Sequence, residues 1–228
     1  MKKLGLILCT MTALTVPAAS NAQLGGMLKK SVGLGGGGAN ASAGDSAQFL
    51  DNAFKASVNT MIAADVLAKA VQSKGSSVGS KDYVNGLMKA QSFKEVDAFT
   101  SQFQSNIEAL GKNDNVSQDL IAAHGAASAK QKKLISTALF NIALATFRNV
   151  QMAQQAPGFV RSIASDPKML GRLGEFKAAA ALLGLQAKGL GVIAPSLPKV
   201  LSATKVQPPE QSEATKPQEF DPSAFPTD

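Results

Sequence analysis

The chain has 228 residues and carries 23 Lys plus Arg against 16 Asp plus Glu, a net charge of +7. One Cys, one His, one Tyr and no Trp exclude an intramolecular disulfide and a His/Cys zinc site, which needs about four ligands. They also leave one candidate base for any Ser-His or Cys-His mechanism.

Residues 1–22 open with Lys2 and Lys3, run apolar from Leu4 to Pro17, and end in small residues. Ser20 and Ala22 occupy the −3 and −1 positions of a cleavage site before Gln23. The apolar run is shorter than the roughly 20 residues that span a bilayer, so the pattern predicts a secretory signal peptide. Cleavage near Ala22 removes Cys9 and leaves a mature chain without cysteine. The expected location is the periplasm of a bacterium.

Residues 23–45 are rich in Gly, which loses the most backbone entropy on ordering, and read as a flexible linker. Within it, Lys29 and Lys30 sit in a short cationic, apolar patch, Met27 to Val32. Gly33, Gly35 and Gly38 match the dinucleotide-binding glycine spacing, but no strand precedes them, so the match carries no cofactor expectation.

A helical domain is expected over 46–206, because strict alternation is absent and β-branched residues are sparse. The first helix is expected from Ser46 to Ser73, with Leu50, Phe54, Met61, Ala64 and Ala68 on one face and Asp51, Lys55, Asn59 and Lys69 opposite. A polar hinge, Gly75 to Gly79, precedes a short helix from Asp82 to Ala90. Ser92-Phe93-Lys94-Glu95 is a capping box. It starts an amphipathic helix over 93–110, with Val96, Phe99, Phe103, Ile107 and Leu110 on its apolar side.

Residues 117–154 read as one long helix or two broken near Gly125. Leu134 to Phe147 is apolar nearly all round, which places it centrally in a bundle. A short helix with Pro157 in its first turn is expected over 157–165. Asp166 and Pro167 form the start signal for the next helix, whose apolar stripe is Met169, Leu173, Phe176, Ala180 and Leu183. Gly171, Gly174, Ala178 and Ala181 form a second seam, where another helix is expected to approach closely. A last short helix is expected from Lys199 to Thr204. Residues 207–228 are Pro-rich and acidic and read as a disordered tail, with Phe220 and Phe225 as its candidate anchors to a partner or to the body.

The expected architecture is therefore all-α: an irregular bundle of about five or six helices between a Gly-rich linker and an acidic tail. Charge divides with it. The body from Gln23 to Val206 has 20 bases and 11 acids, or +9; the tail has one base and five acids, or −4.

Chemistry-bearing candidates are few. His124 is the only imidazole and falls near a helix end, where the dipole favours a cation. Among Asp65, Asp82, Glu95, Asp97, Glu108 and Glu175, Asp65 stands out because it shares a face with Phe54, Val58 and Met61; pairing with Lys69 at i+4 is its simplest explanation. No catalytic, metal or cofactor site is expected. Lys130, Lys132 and Lys133 form a basic cluster which, with Lys29 and Lys30, is the candidate contact for an anionic partner. Scattered Arg and scarce aromatics argue against nucleic acid. The expected function is a non-enzymatic binding or assembly module of the cell envelope, working through a protein partner. The alternative is a protein that binds anionic membrane surfaces, and a carboxylate-dependent hydrolase using Asp65 and Glu175 is least favoured.

Overall fold

Alanine-rich segments with few β-branched residues favour helix, and that preference governs the fold. The computed structural model describes residues 43–167, 169–210 and 215–225. These are all-helical, with no strand among them. The expected signal peptide, Cys9, the Gly33–Gly38 run and Lys29 with Lys30 lie outside the described residues.

The first helix, α1 (Ala43–Gln72), begins inside the stretch read as linker. Its register differs from a one-faced amphipathic helix. Every residue from Thr60 to Ala68 is buried, including Ala63, Ala64 and Asp65. The cover comes from α2 (Lys81–Lys89), α4 (Thr100–Gly111), α5 (Val116–Ala126), α6 (Ala129–Ser165) and α7 (Leu173–Ile193). Small side chains let these helices approach the α1 backbone from several sides. Within α6, Leu134, Ile135, Ala138, Leu139, Ile142 and Ala145 are buried too, as the apolar run there predicts.

The helix expected over 93–110 is divided. The cap forms: Glu95 N–H donates to Ser92 Oγ at 3.3 Å. The Glu95 carboxylate, however, accepts from Gln91 N–H at 2.8 Å and from Ser92 Oγ at 3.2 Å rather than from Ser92 N–H. The resulting α3 (Phe93–Asp97) stops after one turn. Phe99, at the break, sets its ring edge-on to Tyr83, 5.5 Å between centroids, and its carbonyl accepts from the Tyr83 hydroxyl at 3.4 Å.

The stretch forms two helices, and the break near Gly125 is centred on Ala127 and Ser128. Ser128 Oγ accepts from Gln131 N–H, and Gln131 Oε1 accepts from Ser128 N–H at 3.0 Å. This second capping box restarts the helix, while Gly125 stays helical with nothing near its Cα. Helix α6 then runs through Pro157. Proline has a helical φ and forfeits one hydrogen bond, and burial of Ala156 and Ile163 on either side holds the helix together. Asp166 ends α6 rather than starting the next helix; a 3-10 turn at Leu170–Arg172 leads into α7. After a second 3-10 turn at Ala194–Ser196, α8 (Leu197–Thr204) packs on α5.

Stacked Phe49, Phe159 and Phe176 join α1, α6 and α7, with centroids 4.5 to 6.4 Å apart. One level along, the same helices share a buried polar cluster. Asn149 Nδ2 donates to Thr60 Oγ1 at 3.0 Å and to Gln186 Oε1 at 2.6 Å. Gln186 Nε2 donates to the Ser57 carbonyl at 3.2 Å.

The stretch read as a disordered tail is seated on the body over residues 215–225. Phe220 and Phe225 are buried. A 3-10 turn at Pro222–Ala224 packs against α2 and α6. The reason is a specific side-chain contact at Asn141, described next, that composition alone does not reveal.

Candidate binding surface

The surface is built where the start of α6, the 75–80 hinge and the C-terminal segment meet. The hinge is shaped by left-handed backbone. Gly75, at φ +85°, ends α1 with its N–H on the Ala70 carbonyl and its Cα against the Ala123 carbonyl. Gly79, at φ +78°, lies under the Phe225 ring; a Cβ there would stand 2.7 Å from Phe225 Cε1. Glycine is therefore required twice over, by conformation and by space.

Asp65 fixes the end of this hinge. Its Oδ2 accepts from Ser80 N–H at 2.6 Å, and its Oδ1 accepts from Asn106 Nδ2 at 3.0 Å. Burial pushes its pKa up, against the opposing pull of those two donors and of Lys69. The carboxylate thus lies in the core and not at the edge of a stripe, and it makes no ion pair with Lys69 within 4 Å. Burial also pushes the Tyr83 phenol up, with the nearby Asp65 charge adding to it.

The start of α6 presents Lys130 and Lys133 exposed and Lys132 half-buried. Three cations in the first turns oppose the helix dipole, so they weaken the helix and raise the positive potential there. The capping Gln131 also donates its Nε2 to the Ser76 carbonyl at 2.8 Å, tying this helix end to the hinge.

The C-terminal segment lies against this frame. Asn141, buried on α6, bonds both backbone groups of one residue: its Nδ2 donates to the Gln218 carbonyl at 2.9 Å, and its Oδ1 accepts from Gln218 N–H at 2.8 Å. Asp221 closes the following turn by accepting from Ser223 N–H at 2.9 Å and Ser223 Oγ at 2.7 Å. Those bonds hold its carboxyl below the usual range, and the fields of Lys133 and Lys130 add to the effect.

The remaining candidates are separate from this surface. His124 Nε2 lies 3.1 Å from Ser136 Oγ, a nucleophile–base distance. Among the described residues, no carboxylate hydrogen-bonds to the ring to orient it, and Ser136 sits inside α6. Burial, then the Lys132 charge, lowers the His124 pKa. Asp65 is sealed in the core, whereas Glu175 is solvent-facing and bonded to Arg172 at 3.2 Å, so the two share no accessible site. No group of three or more His, Cys, Asp or Glu placed to hold a metal occurs among the described residues.

The seam of small residues on α7 does not receive another helix. Gly171 and Gly174 have nothing within contact of a Cβ, and Ala178 and Ala181 are exposed. Gly174, Ala178 and Ala181 border an open groove of about 720 Å³ whose other wall includes Phe93, Lys94 and Asp97. Close approach of α4 to α7 occurs elsewhere: a Cβ on Gly189 would meet Ile107 Cγ2 at 3.1 Å. The Asn141 contact to Gln218 and the Ser128 box are the features that the sequence pattern does not announce. The sequence Ser128-Ala129-Lys130-Gln131 was a usable signal for the box, while Asn141 had none, being one polar residue in an apolar helix.

Compared with protein-family models, curated proteins and solved structures, the chain shows no match.

Proposed function

We propose that the chain is an exported, non-enzymatic helical protein that acts as a binding or assembly module in the bacterial cell envelope. The observation that carries this reading is the side-chain-built seat for an extended segment at Asn141 and Gly79, beside Lys130 and Lys133. The pattern of residues 1–22 supports export. The groups best suited to acid–base work, Asp65 and His124, are committed to contacts between helices, and this supports a role without catalysis.

Crosslinking of the mature chain in envelope extracts, beside a Lys130→Glu, Lys132→Glu, Lys133→Glu variant, tests the reading. A discrete crosslinked species lost in the variant is expected; a monomer in every extract refutes it. A membrane-surface role is the second reading, favoured by one observation. The segment Leu170–Thr204 is long and apolar enough to cross a membrane by length and composition, and it leaves Leu170 49% and Val192 50% exposed. Co-flotation with anionic vesicles at low salt, weakened at higher salt, is the outcome expected of that second reading.

A further inference from the structure

We propose that the seat of the C-terminal segment is a peptide-recognition site, occupied in this structure by the chain's own strap (residues 215–225). Its partner class is an extended, acidic segment of another protein with two Phe five positions apart. The proposal rests on the binding-module reading and names the ligand chemistry of that module.

Three features define what the seat accepts. The first is backbone shape. Asn141 bonds both the N–H and the C=O of one residue, Gln218. A helical residue commits those groups to its own i±4 partners, so only extended chain satisfies this contact. The second is the pair of aromatic anchors. Phe220 and Phe225 are buried with ring centroids 6.2 Å apart, and Phe225 fills the space that Gly79 leaves open beside Val66. The third is charge. Asp221 lies exposed in the field of Lys130 and Lys133 without a salt bridge within 4 Å. A solvated carboxylate of this kind steers an encounter more than it holds a complex.

The strap also has the character of a ligand. Apart from the single turn at Pro222–Ala224 it has no regular structure of its own. Pro217 and Pro222 restrict the residues before them to extended conformations, and Asp221 has φ −80°, ψ 111°. This pre-organisation lowers the entropy lost on docking. Asp65 is a positioning residue for the seat: its bond to Ser80 N–H holds the residue next to Gly79. Because the strap is tethered, its local concentration is on the order of millimolar. A partner in trans therefore meets an affinity reduced by the fraction of seats left open.

The test uses full-length chain and a fluorescein-labelled peptide of residues 215–225, followed by anisotropy. In the Phe220→Ser, Phe225→Ser chain the strap is expected to leave the seat, because its two buried anchors are gone, and the seat residues are unaltered. The peptide is expected to bind this variant about tenfold or more tighter than wild type. A peptide carrying the same two Ser substitutions, or the addition of Asn141→Ala to the chain, is expected to abolish binding. Circular dichroism establishes that each variant is folded. In wild type, excess unlabelled peptide is expected to speed proteolysis of the strap, a readout that needs no variant. Equal binding of the Phe and Ser peptides, or none to the folded variant together with no change in wild-type proteolysis, overturns the proposal. So does flotation of the unseated variant on anionic vesicles without peptide binding, which makes the hidden face a lipid site. A wild-type dimer dissociated by Phe220→Ser and Phe225→Ser makes a second copy the occupant and equally overturns it. Failure of the peptide arm leaves the envelope crosslinking result standing, so the two readings fail separately.

Discussion

Replacing Asp65 separates its two jobs, accepting hydrogen bonds and carrying charge. Asp65→Ala removes the acceptor for Ser80 N–H at 2.6 Å and for Asn106 Nδ2 at 3.0 Å. A buried donor left without a partner costs about 1–3 kcal/mol. Asn106 is buried, and its bond from Gln102 is accepted at Oδ1, so its Nδ2 is the donor left unpaired; Ser80 is half-buried and within reach of water. Removing a buried charge offsets part of the loss. The expected destabilisation is about 2–4 kcal/mol. Asp65→Asn keeps an acceptor for Ser80, and a flip of the Asn106 amide, with the exposed Gln102 amide flipping in turn, supplies a partner for the new amide, so it is expected within about 1 kcal/mol of wild type at neutral pH. The pH dependence has a definite sign. The folded pKa lies above the unfolded value because of burial. The protonated form is therefore the one the fold favours: this stability is present below the unfolded pKa and is lost as pH rises through the folded pKa. Urea unfolding followed by far-UV circular dichroism, for both chains across the acid range, reads the difference. Wild type is expected to gain on Asp65→Asn as pH falls. An Ala variant as stable as wild type, or a gap between wild type and Asn that moves the other way, refutes this account.

Other outcomes follow from the same geometry. Gly75→Ala forces a side chain into φ +85° against the Ala123 carbonyl and is expected to cost about 2 kcal/mol or more; Gly125→Ala, in an open helical site, is expected to gain about 0.5–1 kcal/mol. Thermal melts of the pair check both signs. The His124 imidazole is expected to titrate below its ordinary value, with Lys132→Gln raising the midpoint in an NMR titration. Its contribution to stability is present above the unfolded imidazole pKa and lost as pH falls through the folded one, and a midpoint at or above the ordinary value counts against it. Asn149→Asp turns an acceptor toward Thr60 Oγ1 and Gln186 Oε1. It is expected to cost about 3 kcal/mol or more at neutral pH and less on acidification, again by urea unfolding; a cost that does not shrink on acidification argues against the assigned donor geometry.

Legibility in the sequence followed the range of the interaction. The Ser92 cap and the apolar run in α6 are local and were readable. So was the all-helical class, because helix periodicity is written within a few residues. The Ser128 box is equally local but lies in a stretch, 117–154, that reads as one long helix or two broken near Gly125. The all-round burial of Thr60 to Ala68 was not readable. Alanine is compatible with either a buried or an exposed face, and only the approach of helices from later in the chain decides between them. The seating of the tail is legible only at its candidate anchors, Phe220 and Phe225, which are buried; the rest is hidden for a related reason. Proline and acidic residues argue correctly against a helix there, but they are silent on whether an extended segment finds a buried Asn141 to meet it. Asp65 was singled out by its face and then explained by its neighbour Lys69, while its real partners, Ser80 and Asn106, are 15 and 41 residues away.

The enclosed stretch of α1 has a consequence in time. Its cover comes from α2, α4, α5, α6 and α7, so the helix made first in the body stays partly unshielded until late in synthesis. Until α7 has been synthesised, an apolar, alanine-rich rod stands open to solvent on at least one side. Pairings at such long sequence separation form slowly, and surface exposed meanwhile invites aggregation. A chain truncated before α7 is therefore a natural client for any factor that holds unfolded polypeptide, and the early helix is where such a factor should bind.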